Sequence, residues 1–136
     1  MLLLGLALPI ACRRGGDEVV EKRATLISLK GSIKVKRAKS TEWIDAIENM
    51  PIGLNDKISS GENSFATLVF EGAELIRVDE KSLIAVTDVK RQRQVVGQAL
   101  ELDQGRVEVD VSSGREFRVK TRGAEAVVGE REITFQ

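Results

Sequence analysis

Between Leu54 and Val86 the chain alternates short apolar runs with turn residues, and this rhythm limits the fold more than any other feature. Leu54-Asn55-Asp56, Gly61-Glu62-Asn63-Ser64 and Glu71-Gly72 punctuate runs at Phe65 to Phe70, Leu75 to Val78 and Ser82 to Val86. Short strands joined by tight turns are written this way. The same period of two extends in both directions. Ile27, Leu29, Gly31, Ile33 and Val35 share one face, expected to point inward, with Ser28, Lys30, Ser32, Lys34 and Lys36 on the other. Gly31 interrupts that run and marks a bulge or a bend into a second sheet.

Trp43 to Ile47 fits either a strand or one helical turn, and Pro51 ends whichever forms. Ala66, Leu68 and Phe70 face inward, but Phe65, Thr67 and Val69 opposite them are also largely apolar. That strand is therefore expected to be central and covered on both faces. Ile76, Val78, Ile84 and Val86 continue the parity, and Lys90-Arg91-Gln92-Arg93-Gln94 reads as a charged hairpin tip or edge. Leu100 and Leu102, then Val107, Val109 and Val111, then Phe117 and Val119, then Ala124, Ala126 and Val128 complete the inward set. The predicted class is all-β, with two packed, mainly antiparallel sheets in a sandwich or short roll-like stack.

Leu2 to Ile10 is apolar and ends in Pro9-Ile10-Ala11-Cys12. About nine such residues fall short of a bilayer span of about 20 and fit the core of a signal peptide. A small residue before cysteine at the end of such a core resembles a bacterial lipobox, which implies a diacylated Cys12 as the first mature residue. Pro9 stands where the lipobox has leucine, and no Lys or Arg precedes the core, which an upstream start codon would explain. Arg13 follows Cys12, not the aspartate of inner-membrane retention, so the expected location is the periplasmic face of the outer membrane. Residues 1–11 are then the signal peptide, 12–23 a charged tether with Gly15-Gly16, and 24–136 the β domain.

Composition narrows the chemistry. The 136 residues carry 21 basic and 21 acidic side chains, a balance that argues against nucleic acid. Histidine is absent, removing the commonest general base and metal ligand, and a lone cysteine forbids an intrachain disulfide. No Asp-x-Asp-x-Asp calcium loop is present. No cofactor or metal site is expected, and an enzyme is not.

The ordered series of Gly31, Ile33 and Val35; Trp43; Leu54, Asp56 and Ile58; Ser60-Gly61, Asn63 and Ser64; Gly72; Leu102, Gly105, Val107 and Val109; and Phe117, Val119 and Thr121 resembles a FecR domain. The resemblance runs from about Ala24 to Gly129. Asn55, Ser60, Ala73 and Arg122 depart from the family's glycine, threonine, serine and proline, and Asn55 can still adopt the left-handed backbone its turn needs. The resemblance implies a periplasmic sensor or interaction module. Its alternative is a regulator working with an outer-membrane receptor and a separately encoded anti-sigma/sigma pair. Neither a sigma-binding helical segment nor a membrane-spanning helix is readable here, so the signalling mechanism is not carried over.

The candidate binding surface is Trp43, Lys34, Lys36 and Asn63. Trp43 is either a partner or sugar anchor or, as expected of an indole, a lid over the core. Lys30, Lys34 and Lys36 form a basic stripe for an acidic partner or lipid headgroup, or pair across strands with Glu101, Asp103, Glu108 and Asp110. Asn63 and Ser64 offer ligand contacts or ordinary turn chemistry. Glu71, Glu74, Asp79 and Glu80 cluster like a cation site or a solvated hairpin, and two of them would serve a carbohydrate-active enzyme. The partners implied are the membrane, through the N-terminal lipid, and an envelope protein or polymer.

Overall fold

A computed structural model describes residues 21–71, 74–111, 117–121, 124–128 and 132–135, so Cys12 lies outside the described residues. The all-β class is correct. β1 (Lys22–Lys30), β4 (Met50–Gly53), β6 (Phe65–Phe70), β7 (Leu75–Val78), β10 (Val107–Asp110) and β13 (Glu132–Phe135) form a first sheet in the order β13-β10-β7-β6-β1-β4. β2 (Ile33–Lys36), β3 (Trp43–Asp45), β5 (Lys57–Ser60), β8 (Leu83–Arg91), β9 (Gln94–Gln104), β11 (Phe117–Thr121) and β12 (Ala124–Val128) form a second, ordered β12-β11-β9-β8-β5-β2-β3. Pairings are antiparallel except between β9 and β11, which run parallel.

Gly31 is the corner between the sheets. Its φ of 83° sends the chain from β1 in the first sheet to β2 in the second. A Cβ there would lie 2.3 Å from the Ser64 hydroxyl oxygen, which accepts the Ser32 N–H at 2.8 Å. The Trp43 segment resolves as a strand, β3. Asn55 takes the left-handed backbone at φ 68°, and Gln92-Arg93, both at positive φ, close the β8–β9 hairpin as a primed turn would.

Two parity expectations are corrected. Ile27 is 40% exposed, while Ala24 and Leu26 are buried. The β1–β6 register shifts between Leu26 and Ser28, and that bulge reverses the phase on which an inward Ile27 depended. β6 is central in its sheet but covered on one face only. Leu68 and Phe70 are buried, Thr67 and Val69 are half-buried, and Phe65 is 41% exposed. Hydrogen bonding to β1 and β7 on either side does not require a second layer of side chains.

The core lies between the sheets. Phe70 from the first and Phe117 from the second meet edge to face, centroids 5.1 Å apart, among buried Leu26, Ile58, Ile76, Ile84, Leu100 and Val119. Buried hydroxyls tie the loops. Ser60 Oγ accepts the Ser82 N–H, and Ser82 Oγ accepts the Arg106 N–H at 3.0 Å.

Candidate functional site

β3 ends the second sheet, and its register decides what it presents. Trp43 lies opposite Lys36, Ile44 opposite Val35, and Asp45 opposite Lys34. Directly opposed residues share a face. Val35 is buried in the core, so Ile44 sits on the core side, yet it is 40% exposed because no further strand covers it. Trp43 and Asp45 project from the outer face beside Lys36 and Lys34. With Trp43 at 42% and Ile47 at 65% exposed, this edge leaves three large apolar side chains open within five residues, Trp43 and Ile44 on opposite faces of the strand. Trp43 is therefore not a lid, because it projects away from the interior.

The same register corrects the pairing expected for the lysines. The neighbours of β2 are β3 and β5, so its partners come from those strands. Lys34 Nζ pairs with Asp45. Glu101 and Asp103 stand on β9, beyond β5 and β8, while Glu108 and Asp110 belong to the other sheet. Lys36 faces Lys57 on β5, a like-charge pair directly opposed across strands. Lys57 escaped the sequence reading because only strand register reveals it.

Asn63 is not part of this surface. It follows the Ser60 end of β5, which pairs with Ile33, at the opposite end of β2 from Lys36. There it is an exposed turn residue at φ 51° whose N–H donates to Glu80 Oε1 at 2.9 Å.

The loop leading from β2 into β3 is clamped by Asp56. Its carboxylate accepts the Arg37 Nη1–H at 2.7 Å, the Gly53 N–H at 2.8 Å and the Ala38 N–H at 3.0 Å. Asp56 itself is buried. At the far side of β8, Arg23 donates to both oxygens of Asp88, which holds its guanidinium proton more tightly than usual. Burial opposes that shift, and Glu21 adds to it.

A second surface feature was not foreseen. On the outer face of the first sheet, Phe65, Thr67, Arg77, Asp79, Arg106 and Glu108 line a half-open cleft of about 300 Å³. Arg77–Glu108 and Arg106–Asp79 ion pairs, each at 3.8 Å, cross it. The signal available was the parity of Phe65, opposite the buried Phe70. The acidic cluster does not assemble as a solvated hairpin. Glu74 is 1% exposed, Glu71 is exposed, and Asp79 and Glu80 are intermediate. Among the described residues no three His, Cys, Asp or Glu side chains are placed to hold a metal ion.

Two packed sheets of short strands, one of them ending in an exposed apolar strand beside lysines, define an all-β domain. The family model for FecR protein matches residues 56–135, more than half of the chain, and the chain belongs to the FecR family. FecR domains are periplasmic signal-transduction or regulator modules, and the family's association with the envelope is consistent with export. No curated protein and no solved structure matches the chain. The matched segment starts at Asp56, so the strands up to β4, with Trp43 and the β2 lysines, precede it while completing the same two sheets.

Proposed function

We propose that this chain is a non-enzymatic interaction module of the bacterial envelope, held at the periplasmic face of the outer membrane by a lipid on Cys12. It engages an envelope partner through the free edge and outer face at β3. The observation that carries this reading is the exposure of Trp43 and Ile44 on a terminal strand, with exposed Ile47 just past its end; among the described residues no further strand pairs with the outer side of β3. An exposed apolar edge is costly to keep in water and prone to pairing with other chains. A partner that covers it gives the exposure a purpose.

Photocrosslinking in the native envelope tests the surface. A photoreactive side chain at position 47 is expected to yield discrete adducts, and one at position 103 on β9 is not. Adducts from neither position, or equally from both, would remove β3 as the contact. Adducts that carry an outer-membrane receptor would select the regulator reading, which family membership also supports. The anchor is tested separately by mass spectrometry of the mature N-terminus beside Cys12→Ser. Full-length, unacylated, freely soluble parent protein would defeat it. Measurable glycoside hydrolysis by the parent, lost on replacing Glu71, Glu74 or Asp79, would contradict the non-enzymatic assignment.

A further inference from the structure

We infer that the outer face of the second sheet at Trp43, Lys36 and Lys57 is a binding site for an acidic polysaccharide strand. The inference rests on the β3 surface proposed above and names its ligand class. The three residues lie in one cross-strand row, Trp43 opposite Lys36 and Lys36 opposite Lys57. With strands about 4.8 Å apart, the row spans about 10 Å perpendicular to the strands. That length suits two linked sugar rings. The half-exposed indole offers a flat apolar platform for the C–H face of one ring, and the two ammonium groups fall where the acidic substituents of the next would lie.

Among the described residues no ion pair offsets this charge arrangement. Like charges directly opposed on a sheet repel and destabilise it. Among the described residues neither Lys36 nor Lys57 has a carboxylate partner, in contrast to Lys34, whose ammonium is taken by Asp45. Both lysines are only partly exposed, so their stems lie along the sheet with the charged ends outward. The row continues from Lys57 to Ala85, a small buried residue that leaves the face flat, and only then reaches Glu101, which stands opposite Lys120. Lys120 thus faces an acidic residue, and the row's cations with no acidic residue opposite are the two on β2 and β5, with the aromatic platform at their end.

A linear polymer fits this better than a membrane plane. Glu42, Asp45 and Glu48, all exposed on or beside β3, would meet an anionic bilayer laid against the edge. A strand crossing Trp43, Lys36 and Lys57 at right angles to β3 avoids them.

Trp43 is the only tryptophan, so its fluorescence reports on the site alone. Titration of the full chain with an oligogalacturonate is expected to change Trp43 emission saturably and to weaken with added salt. A maltooligosaccharide of equal length should give no change. Lys36→Gln with Lys57→Gln should lower the affinity roughly tenfold, the scale of two exposed charge contacts, while Lys120→Gln leaves it unchanged. Equal responses to the acidic and neutral sugars, no response to either, or a response only to phosphatidylglycerol vesicles would each overturn the assignment. If position 47 still crosslinks a protein in the envelope while the sugar fails, the ligand class falls and the interaction surface stands. If both fail, the surface falls too.

Discussion

Asp56 makes the most demanding test of how the fold holds its edge. Replacing it with alanine removes three acceptor contacts at once, from Arg37, Ala38 and Gly53. They are not equivalent. Ala38 is exposed, so water can satisfy its N–H after the change, and the Arg37 side chain is 17% exposed and can partly rehydrate. Gly53 is buried, and its N–H would be left dry. A stranded buried donor costs about 1–3 kcal/mol, and losing the largely buried ion pair adds only about 1 kcal/mol, because Arg37 keeps the Pro51 carbonyl as acceptor and Asp56 has two backbone donors besides Arg37. Asp56→Ala should therefore destabilise the chain by about 3 kcal/mol. With a urea slope of about 1.5 kcal/mol/M, the midpoint should fall by about 2 M at an unchanged slope. Arg37→Ala should cost about 1 kcal/mol, and the double variant should fall short of the sum, because each change removes the same contact. Asp56→Asn keeps the shape and one acceptor, and should lie between alanine and the parent. A midpoint shift below about 0.5 M for Asp56→Ala, or strict additivity with Arg37→Ala, would refute the clamp.

Gly105→Ala should lose at least about 2 kcal/mol in urea unfolding, because φ is 95° and a Cβ would lie 2.5 Å from the Ser82 Cα, whereas Gly61→Ala, with its nearest contact at 3.5 Å, should stay within about 0.5 kcal/mol. Leu26→Ala should cost about 2–4 kcal/mol and its neighbour Ile27→Ala under about 1, a contrast in thermal melts that reports the bulge phase directly. Phe70→Ala should cost about 3–5 kcal/mol through the cavity and the lost edge-to-face contact with Phe117, measurable by calorimetry. Arg23→Ala strands Asp88, whose side chain is 3% exposed, at about 3 kcal/mol. Because folding raises the Arg23 pKa, its contribution is complete below the unfolded value and fades only at extreme alkalinity, so the difference between Arg23→Ala and the parent should stay flat from roughly pH 7 to 10.

The layers of the fold are legible in the chain because alternation is a local property. Ile76 and Val78, Ile84 and Val86, and Val107 and Val109 are each buried as the period of two requires. Gly31 also reads correctly, since only a residue without Cβ fits against Ser64. What eludes sequence is anything set by a partner strand far along the chain. Ile27 reverses phase because one residue more on β1 than on β6 must be accommodated, and nothing in the local pattern announces that. Phe65 and Val69 look like core residues by composition alone, yet lateral hydrogen bonding places a strand centrally without covering its outer face. The parallel β9–β11 pair likewise depends on a crossover through β10 of the other sheet.

The site divides along the same line. Trp43 and Lys36 are recognisable by residue type, but their meaning comes from Lys57, which is brought beside Lys36 by the β2–β5 register. Asn63, picked out by the same kind of reasoning, falls at the far end of β2 because that register runs antiparallel. The two free edges of this region also differ in kind. At the end of the first sheet, β4 carries Pro51, which withholds a backbone donor, and buries Met50 and Ile52. At the end of the second sheet, β3 is kept to three residues, a length that limits uncontrolled strand pairing, yet all three are exposed. One edge is closed chemically, while the other is shortened and left with an indole, two isoleucines nearby and, on β2 and β5 beside it, two lysines with no carboxylate partner among the described residues. Packing needs alone would have favoured polar residues at Trp43 and Ile47, as at most exposed strand ends. On the reading proposed above, the apolar choice at the edge, beside Lys36 and Lys57 with no carboxylate partner among the described residues, marks a recognition surface rather than a mere boundary of the fold.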